Sequence, residues 1–253
     1  MLPLSVQLHQ LFTGFTFTFL LQAALSTLAL AVAGCSCGLL VGLVVACLRR
    51  SRTLYLLPLR MVLVVFVELM RRIPFLVTLF LTLFVLQALG TNLSFFSIAL
   101  IAVCLIATAY LAEIFRAGFD SVPQPQIDAA KTLNFSPLQI LFTVMLPQSW
   151  KVVLPPAFSF MVSFIKDTAL ASQLGVVELT FAGKILITRG YSAFLIYGLV
   201  MLVYFALSWP LSLLGAWLEQ CTQRAFNPTA DAMPAGTTPI TPALPNPALL
   251  DRR

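Results

Sequence analysis

An all-α integral membrane protein with about five transmembrane helices is the predicted fold class, and three observations predict it. Hydrophobic residues make up 60% of the 253 residues and charged residues only 9%, against about a quarter charged in soluble domains. The apolar residues form long blocks, each near or above the roughly 20 residues that cross a bilayer as a helix. The basic residues that produce the net charge of +6 lie at the ends of those blocks, a pattern that sets membrane topology rather than one that binds nucleic acid.

Residues 1–19 run from polar (Gln7, His9, Gln10) to aromatic (Phe12 to Phe19) and are predicted as an amphipathic lead-in. With no Lys or Arg in residues 1–22 there is no basic start to a cleaved signal peptide. The first apolar block, Leu20–Leu48, ends at Arg49, Arg50 and Arg52. At 1.5 Å per residue it would span about 44 Å, more than the roughly 30 Å hydrocarbon core, so it tilts or projects. Gly34, Gly38 and Gly42 recur every four residues along one face, where small residues let helices approach closely.

A second block, Leu54–Leu89, is interrupted by Arg60, Glu68, Arg71, Arg72 and Pro74. Ile73–Leu89 is its cleanest spanning part, with Leu54–Met70 as a lead-in. A Gly90-Thr91-Asn92 turn precedes the third block, Phe95 to Phe115, which ends at Arg116. The fourth block, Val152–Val177, contains Lys166 and Asp167. A polar connection, Glu178–Ser192, leads to the fifth, Ala193–Leu218. Residues 225–253, rich in Pro, Thr and Ala without apolar periodicity, are expected to be disordered. The transmembrane unit is therefore expected over residues 20–224.

Arg49, Arg50, Arg52, Arg60, Arg116, Lys131, Lys151 and Arg224 fall on one side of this arrangement, and Lys184 and Arg189 on the other. The first side is predicted to be cytoplasmic, with the N-terminus periplasmic and the C-terminus cytoplasmic.

Residues 117–151 are the one long mid-chain stretch of mixed polarity. Pro125 suits the first turn of a helix, and Asp128 lies near that helix's positive end. Asn134 tolerates the left-handed conformation that stops a helix. Ser136-Pro137-Leu138-Gln139 reads as a capping box opening a second helix, with the next break at Pro147. A helix–turn–helix tethered at both ends by membrane spans is suited to a groove on a soluble partner.

These residues resemble the "EAA" loop of ABC importer permeases, in Asp128-Ala129-Ala130, Leu133 and Met145-Leu146-Pro147-Gln148. Ala109 to Gly118 is similar to the stretch before that loop in polar amino acid permeases. Phe164-Ile165-Lys166-Asp167-Thr168-Ala169-Leu170 is similar to their "KDTSL" motif, and Glu68 to Pro74 resembles their "EFFRGTP" element. Tyr204 to Glu219 looks like their final span. The resemblance implies a type I ABC importer permease carrying a polar amino acid across the bacterial inner membrane by alternating access. It implies ATPase subunits holding ATP and Mg²⁺, a second permease copy or paralogue, and a periplasmic substrate-binding protein. Asp128, Ala129, Ala130, Leu133 and Asn134 would form the coupling loop at 123–147. The sequence departs from the family at Asp128 (usually Glu), Asn134 (usually Gly) and Arg72-Ile73 (usually Gly-Thr).

Charges inside a membrane face a partner or a water-filled path. Glu68 is three and four residues before Arg71 and Arg72, and Glu113 is three before Arg116, so each set shares a helix face. These residues, with Pro74, are candidates for structural ion pairs or for a gate, and Lys166 and Asp167, adjacent and pointing in different directions, for a structural or subunit-interface role or for lining the pathway. Gly183-Lys184 lacks the first glycine of a phosphate loop, with Glu178 at that position, so no ATP hydrolysis is expected of this chain alone. Neither a metal-ligand cluster nor a nucleophile–base pair is legible, and the five cysteines read as packing residues. An ion-coupled secondary transporter or channel using Glu113, Lys166 and Asp167, and a non-transporting membrane scaffold, are the alternatives.

Overall fold

The computed structural model describes residues 14–51 and 54–226, with side chains described to residue 221. The expectations for residues 1–13 and 227–253 lie outside them. The described residues form eight α-helices of eight or more residues: α1 (Gly14–Arg50), α2 (Leu57–Arg72), α3 (Phe75–Ala88), α4 (Phe95–Asp120), α5 (Gln124–Thr132), α6 (Leu146–Asp167), α7 (Leu179–Thr188) and α8 (Ala193–Phe226). A single α-turn, Pro137–Gln139, and a wide π-turn, Ile140–Met145, lead into α6.

Among the described residues, four helical runs are long and apolar enough to cross a membrane: Gly14–Arg50, Phe95–Asp120, Pro137–Leu174 and Ala193–Cys221. The predicted crossing Ile73–Leu89 is the shorter apolar helix α3, and its predicted lead-in is α2. Ile73 is extended (φ −85°, ψ 135°), and Pro74 caps α3. A residue before proline is pushed out of the helical region, so the break falls at the bond the sequence marks.

The central helix is α4, which packs against α1, α2, α3 and α6. Its tightest neighbour is α1, for a steric reason. A Cβ on Gly38 would lie 2.5 Å from the Ala107 Cβ and 2.8 Å from the Ala107 carbonyl carbon. One on Gly42 would lie 2.9 Å from the Ala112 nitrogen. The two backbones touch along the glycine stripe, where dispersion contacts replace the absent side chains.

Gly14–Phe19, within the predicted lead-in, are helical and continuous with the first span to Arg50. Two expectations are corrected. Pro147 is not a break. It stands in the first turn of α6, and helix continues on both sides because the turn before it is widened to a π-turn.

The supposed polar connection Glu178–Ser192 contains α7. Its Leu179, Ala182 and Leu186 pack with Leu20, Ala23 and Ala24 of α1 and with Ile196 and Val200 of α8. Its polar residues cap the helix or bond to neighbours, Lys184 Nζ donating to Ser172 Oγ at 3.3 Å. Glu178 opens α7, and Gly190 (φ +100°) follows its end. After α6 ends at Asp167, a 3₁₀ helix runs Thr168–Leu174 and Gly175 turns at φ +87° before α7.

Candidate functional site

The loop after α4 is built by its caps. Pro123 sets the entry to α5 and Pro125 lies in its first turn. Asp128 accepts from Lys131 Nζ at 2.6 Å and Gln124 Nε2 at 3.0 Å, bracing the helix along one face. At the other end Asn134 adopts φ +64°. Its N–H donates to the Lys131 carbonyl (2.9 Å), and the Phe135 N–H donates to the Ala130 carbonyl (3.1 Å). This pair of bonds is a Schellman motif.

One residue later the reciprocal capping box forms. The Ser136 N–H donates to Gln139 Oε1 (2.8 Å), and the Gln139 N–H to Ser136 Oγ (3.3 Å). One helix is stopped and the next started within three residues, so the angle between them is set locally.

Ile127 and Ala130 face inward, clustered with Phe115, Phe119 and Val122 at the end of α4 and with Ile140 and Met145. Asp128 and Ala129 face outward, and Leu133 and Leu138 are 70% and 67% exposed. Of the five predicted loop residues, Asp128, Ala129 and Leu133 present a surface, Asn134 makes the turn, and Ala130 anchors the loop from below.

Beside this loop lies a charge cluster. Glu113 of α4 accepts from Arg49 Nη1 of α1 (3.1 Å) and from Arg116 Nε (2.9 Å), with Arg71 Nη1 of α2 at 3.7 Å. Asp120 extends the cluster to Arg50 (2.9 Å) and Arg116 (2.6 Å). The predicted Glu113–Arg116 contact is present, but Glu68 pairs with Arg72 alone (3.0 Å). Arg71 turns away toward α4, with its guanidinium 5.9 Å from the Tyr110 ring centre. The stacked ring and the Glu113 charge outbid an exposed helix-face pair.

Lys166 and Asp167 are exposed at the end of α6 and share no ion pair with this cluster among the described residues. Two residues earlier Phe164 packs with Ile106 and Ala107, near the middle of α4. The structure therefore does not bring the seven predicted gate and pathway residues into one site.

Glu178 was missed as a site by sequence reasoning. It is fully buried, and its carboxylate accepts from the Thr180 N–H (3.0 Å), the Phe181 N–H (2.8 Å) and the Tyr204 hydroxyl (2.7 Å). The Leu179 N–H donates to Thr27 Oγ1 (3.1 Å). Together these bonds fasten α7 to α1 and α8. The available signal was a carboxylate immediately before the apolar run Leu179–Ile187, a helix-start pattern.

Comparison with known proteins places this architecture. The chain is 34% identical over 206 residues to the probable glutamine ABC transporter permease protein GlnP of Bacillus subtilis, covering 79% of this chain and 92% of that one. It is 36% identical over 188 residues to the L-cystine transport system permease protein TcyB of the same organism, covering 74% and 79%. Among solved structures it is similar to an amino acid ABC transporter crystallised with histidines, at TM-score 0.73 and 28% identity, covering 81% and 94%. Residues 38–226 match the family described as the binding-protein-dependent transport system inner membrane component. The chain belongs to that family: it is a multi-pass inner-membrane permease subunit of an ABC importer, in which ATP hydrolysis resides in a separate subunit.

Proposed function

We propose that this permease carries a polar amino acid and that residues 123–147 are the coupling loop through which an ATPase subunit drives it. The observation that carries the loop assignment is the braced, back-to-back capped pair of helices with Asp128, Ala129 and Leu133 outward and Ile127 and Ala130 anchored on α4. A push on such a loop reaches α4, and through the glycine stripe α1, without being absorbed in a flexible turn. The amino acid substrate is supported by the relatives, which are named for glutamine and cystine.

In this reading the Arg49 and Arg50 end is cytoplasmic, which leaves the N-terminus periplasmic and the C-terminus cytoplasmic. A second copy or a paralogue completes the path, a periplasmic binding protein delivers solute above, and two ATPase subunits with ATP and Mg²⁺ act below. The permease unit is residues 20–224. Lys166 and Asp167 line the path. Glu68, Arg71, Pro74, Glu113 and Arg116 form the inner gate region, in which the α2–α3 break and the arginine cluster on Glu113 move together. Alternating access requires that the loop contact ATP-bound and ATP-free partners differently.

The test is affinity co-purification of the tagged chain from native membranes, with uptake assays of Asp128→Arg. The proposal predicts a stoichiometric ABC ATPase in the purified complex. It also predicts loss of uptake by a variant that is still inserted. Wild-type uptake by a well-expressed Asp128→Arg protein would sink the loop assignment.

A further inference from the structure

We propose that Pro147 is a positioning residue that holds the π-turn Ile140–Met145 open, and that this turn's extra residue sets the rotational register between the docking loop and α6. The inference rests on the loop assignment above. The Leu146 N–H donates to the Leu141 carbonyl, five residues back, where a continuous α-helix would use Phe142. A π-turn is rare, confined mostly to single turns within α-helices, so something must favour it here.

Pro147 supplies the cause. In an unbroken α-helix its ring would press on the Thr143 carbonyl and leave that carbonyl without a donor. Widening the preceding turn by one residue moves the carbonyl away from the ring.

Both flanks of the turn are committed to neighbours. On its loop side Ile140 packs with Ile127 and Ala130 of α5. On its membrane side Met145 and Val153 join the same cluster with Phe115 and Phe119 of α4. The seat of α6 is narrow: a Cβ on Gly118 would lie 2.4 Å from Val153 Cγ2 and 3.4 Å from Ser149 Cβ. Between the flanks, Phe142 and Thr143 are exposed, so the added residue bulges away from the packed side. One residue corresponds to about 100° of helix rotation. With the turn open, Ile127 and Ala130 below and Ser149 and Val153 above all meet α4. Closed to α-geometry at constant length, the turn would seat only one of the two sets.

The test uses the permease assembled with its ATPase and binding protein in proteoliposomes, reading solute uptake per ATP hydrolysed. Pro147→Ala removes the cause of the wide turn and is expected to leave hydrolysis running with uptake lost. Deleting Thr143 in the Pro147→Ala background removes the extra residue, so an α-helix then seats both flanks, and uptake per ATP is expected to return. Pro147→Ala coupling as wild type overturns the proposal, and so does a double variant no better than Pro147→Ala. If Pro147→Ala does not assemble, assembly and coupling by the double variant support the register role and their absence overturns it. Asp128→Arg measured alongside separates the two readings, since wild-type uptake there removes the docking loop whatever Pro147 does.

Discussion

Glu113 of α4 and Arg49 of α1 meet at 3.1 Å with side chains only 18% and 9% exposed. That contact closes the end of the α1–α4 seam whose middle is the glycine stripe. Glu113 also faces Arg71 and Arg116, so one carboxylate answers three guanidiniums from three helices. Removing one partner of a buried pair costs about 3–5 kcal/mol because the other charge stays behind. Arg71 and Arg116 are partly exposed, which screens their share. A loss of about 2–3 kcal/mol is therefore expected for Glu113→Ala. Thermal unfolding in detergent checks it, with a double-mutant cycle against Arg49→Gln to isolate the pair. Additive single effects would show that the contact contributes nothing of its own.

The seam makes a sharper steric prediction. Gly38→Ala must push its Cβ into the Ala107 backbone, which cannot turn aside as a flexible side-chain tip can. Gly198→Ala on α8 meets nothing within 4 Å. The first substitution should lower the unfolding temperature and the yield of folded protein. The second should be neutral or stabilising by up to about 1 kcal/mol, since alanine is the better helix former. Equal behaviour of the two variants would mean that α1 and α4 are not held as close as described.

Asn134 bears on how the loop is held. Its left-handed backbone (φ +64°) suits Asn and Gly, while a β-branched residue pays about 1–2 kcal/mol there. Asn134→Gly should preserve uptake, and Asn134→Val should loosen the turn. Hydrogen exchange at the Phe135 and Asn134 amides, which the Schellman bonds protect, would report the change directly. Unaltered protection in Asn134→Val would contradict the geometry.

Much of this was legible in the residues, and the exceptions share a cause. Local chemistry wrote itself plainly: the Ile73–Pro74 break, the Asn134 stop and the Ser136–Gln139 box each depend on neighbours within four positions. Charge pairing was half legible. The Glu68–Arg72 spacing is helical, but Arg71 chose Tyr110 and Glu113, residues brought near only by packing. The α7 helix was missed because Glu178, Lys184 and Arg189 make its surroundings look polar. Glu178 is buried by α1 and α8, a fact no window of adjacent residues contains. Pro147 misled for a related reason, since a π-turn that accommodates a proline depends on what each flank is packed against.

Glu178 can be tested against its partner. Glu178→Ala strands two backbone N–H groups in a buried setting and takes one of two partners from the Tyr204 hydroxyl, leaving it Thr180 Oγ1 at 3.0 Å. Loss of a helix cap alone costs about 0.5–2 kcal/mol, and each stranded group adds about 1–3. Tyr204→Phe removes a single hydroxyl and should cost only about 1 kcal/mol. Unfolding midpoints should therefore fall in the order wild type, Tyr204→Phe, Glu178→Ala. An inverted order would place the energetic weight on Tyr204 and refute the capping role.

Lys166 and Asp167 present the opposite case, two charges that the folded chain leaves uncovered. Their level follows from Phe164, two residues earlier, which packs against Ile106 and Ala107 halfway along α4 and against the Phe75 ring at 5.1 Å. Charges exposed at that depth cannot face hydrocarbon without a cost of about 2.5–3.5 kcal/mol each on insertion scales. Water in the transport path, or a second subunit, must cover them, and the pathway proposal selects water. With the five native cysteines replaced, Lys166→Cys and Asp167→Cys in the assembled transporter should react with a membrane-impermeant thiol reagent. Saturating solute should slow that reaction, because the solute and the reagent compete for one aqueous space. Cysteines at both positions that stay unreactive in every nucleotide state would put the pair inside a protein interface, and the path would have to run elsewhere.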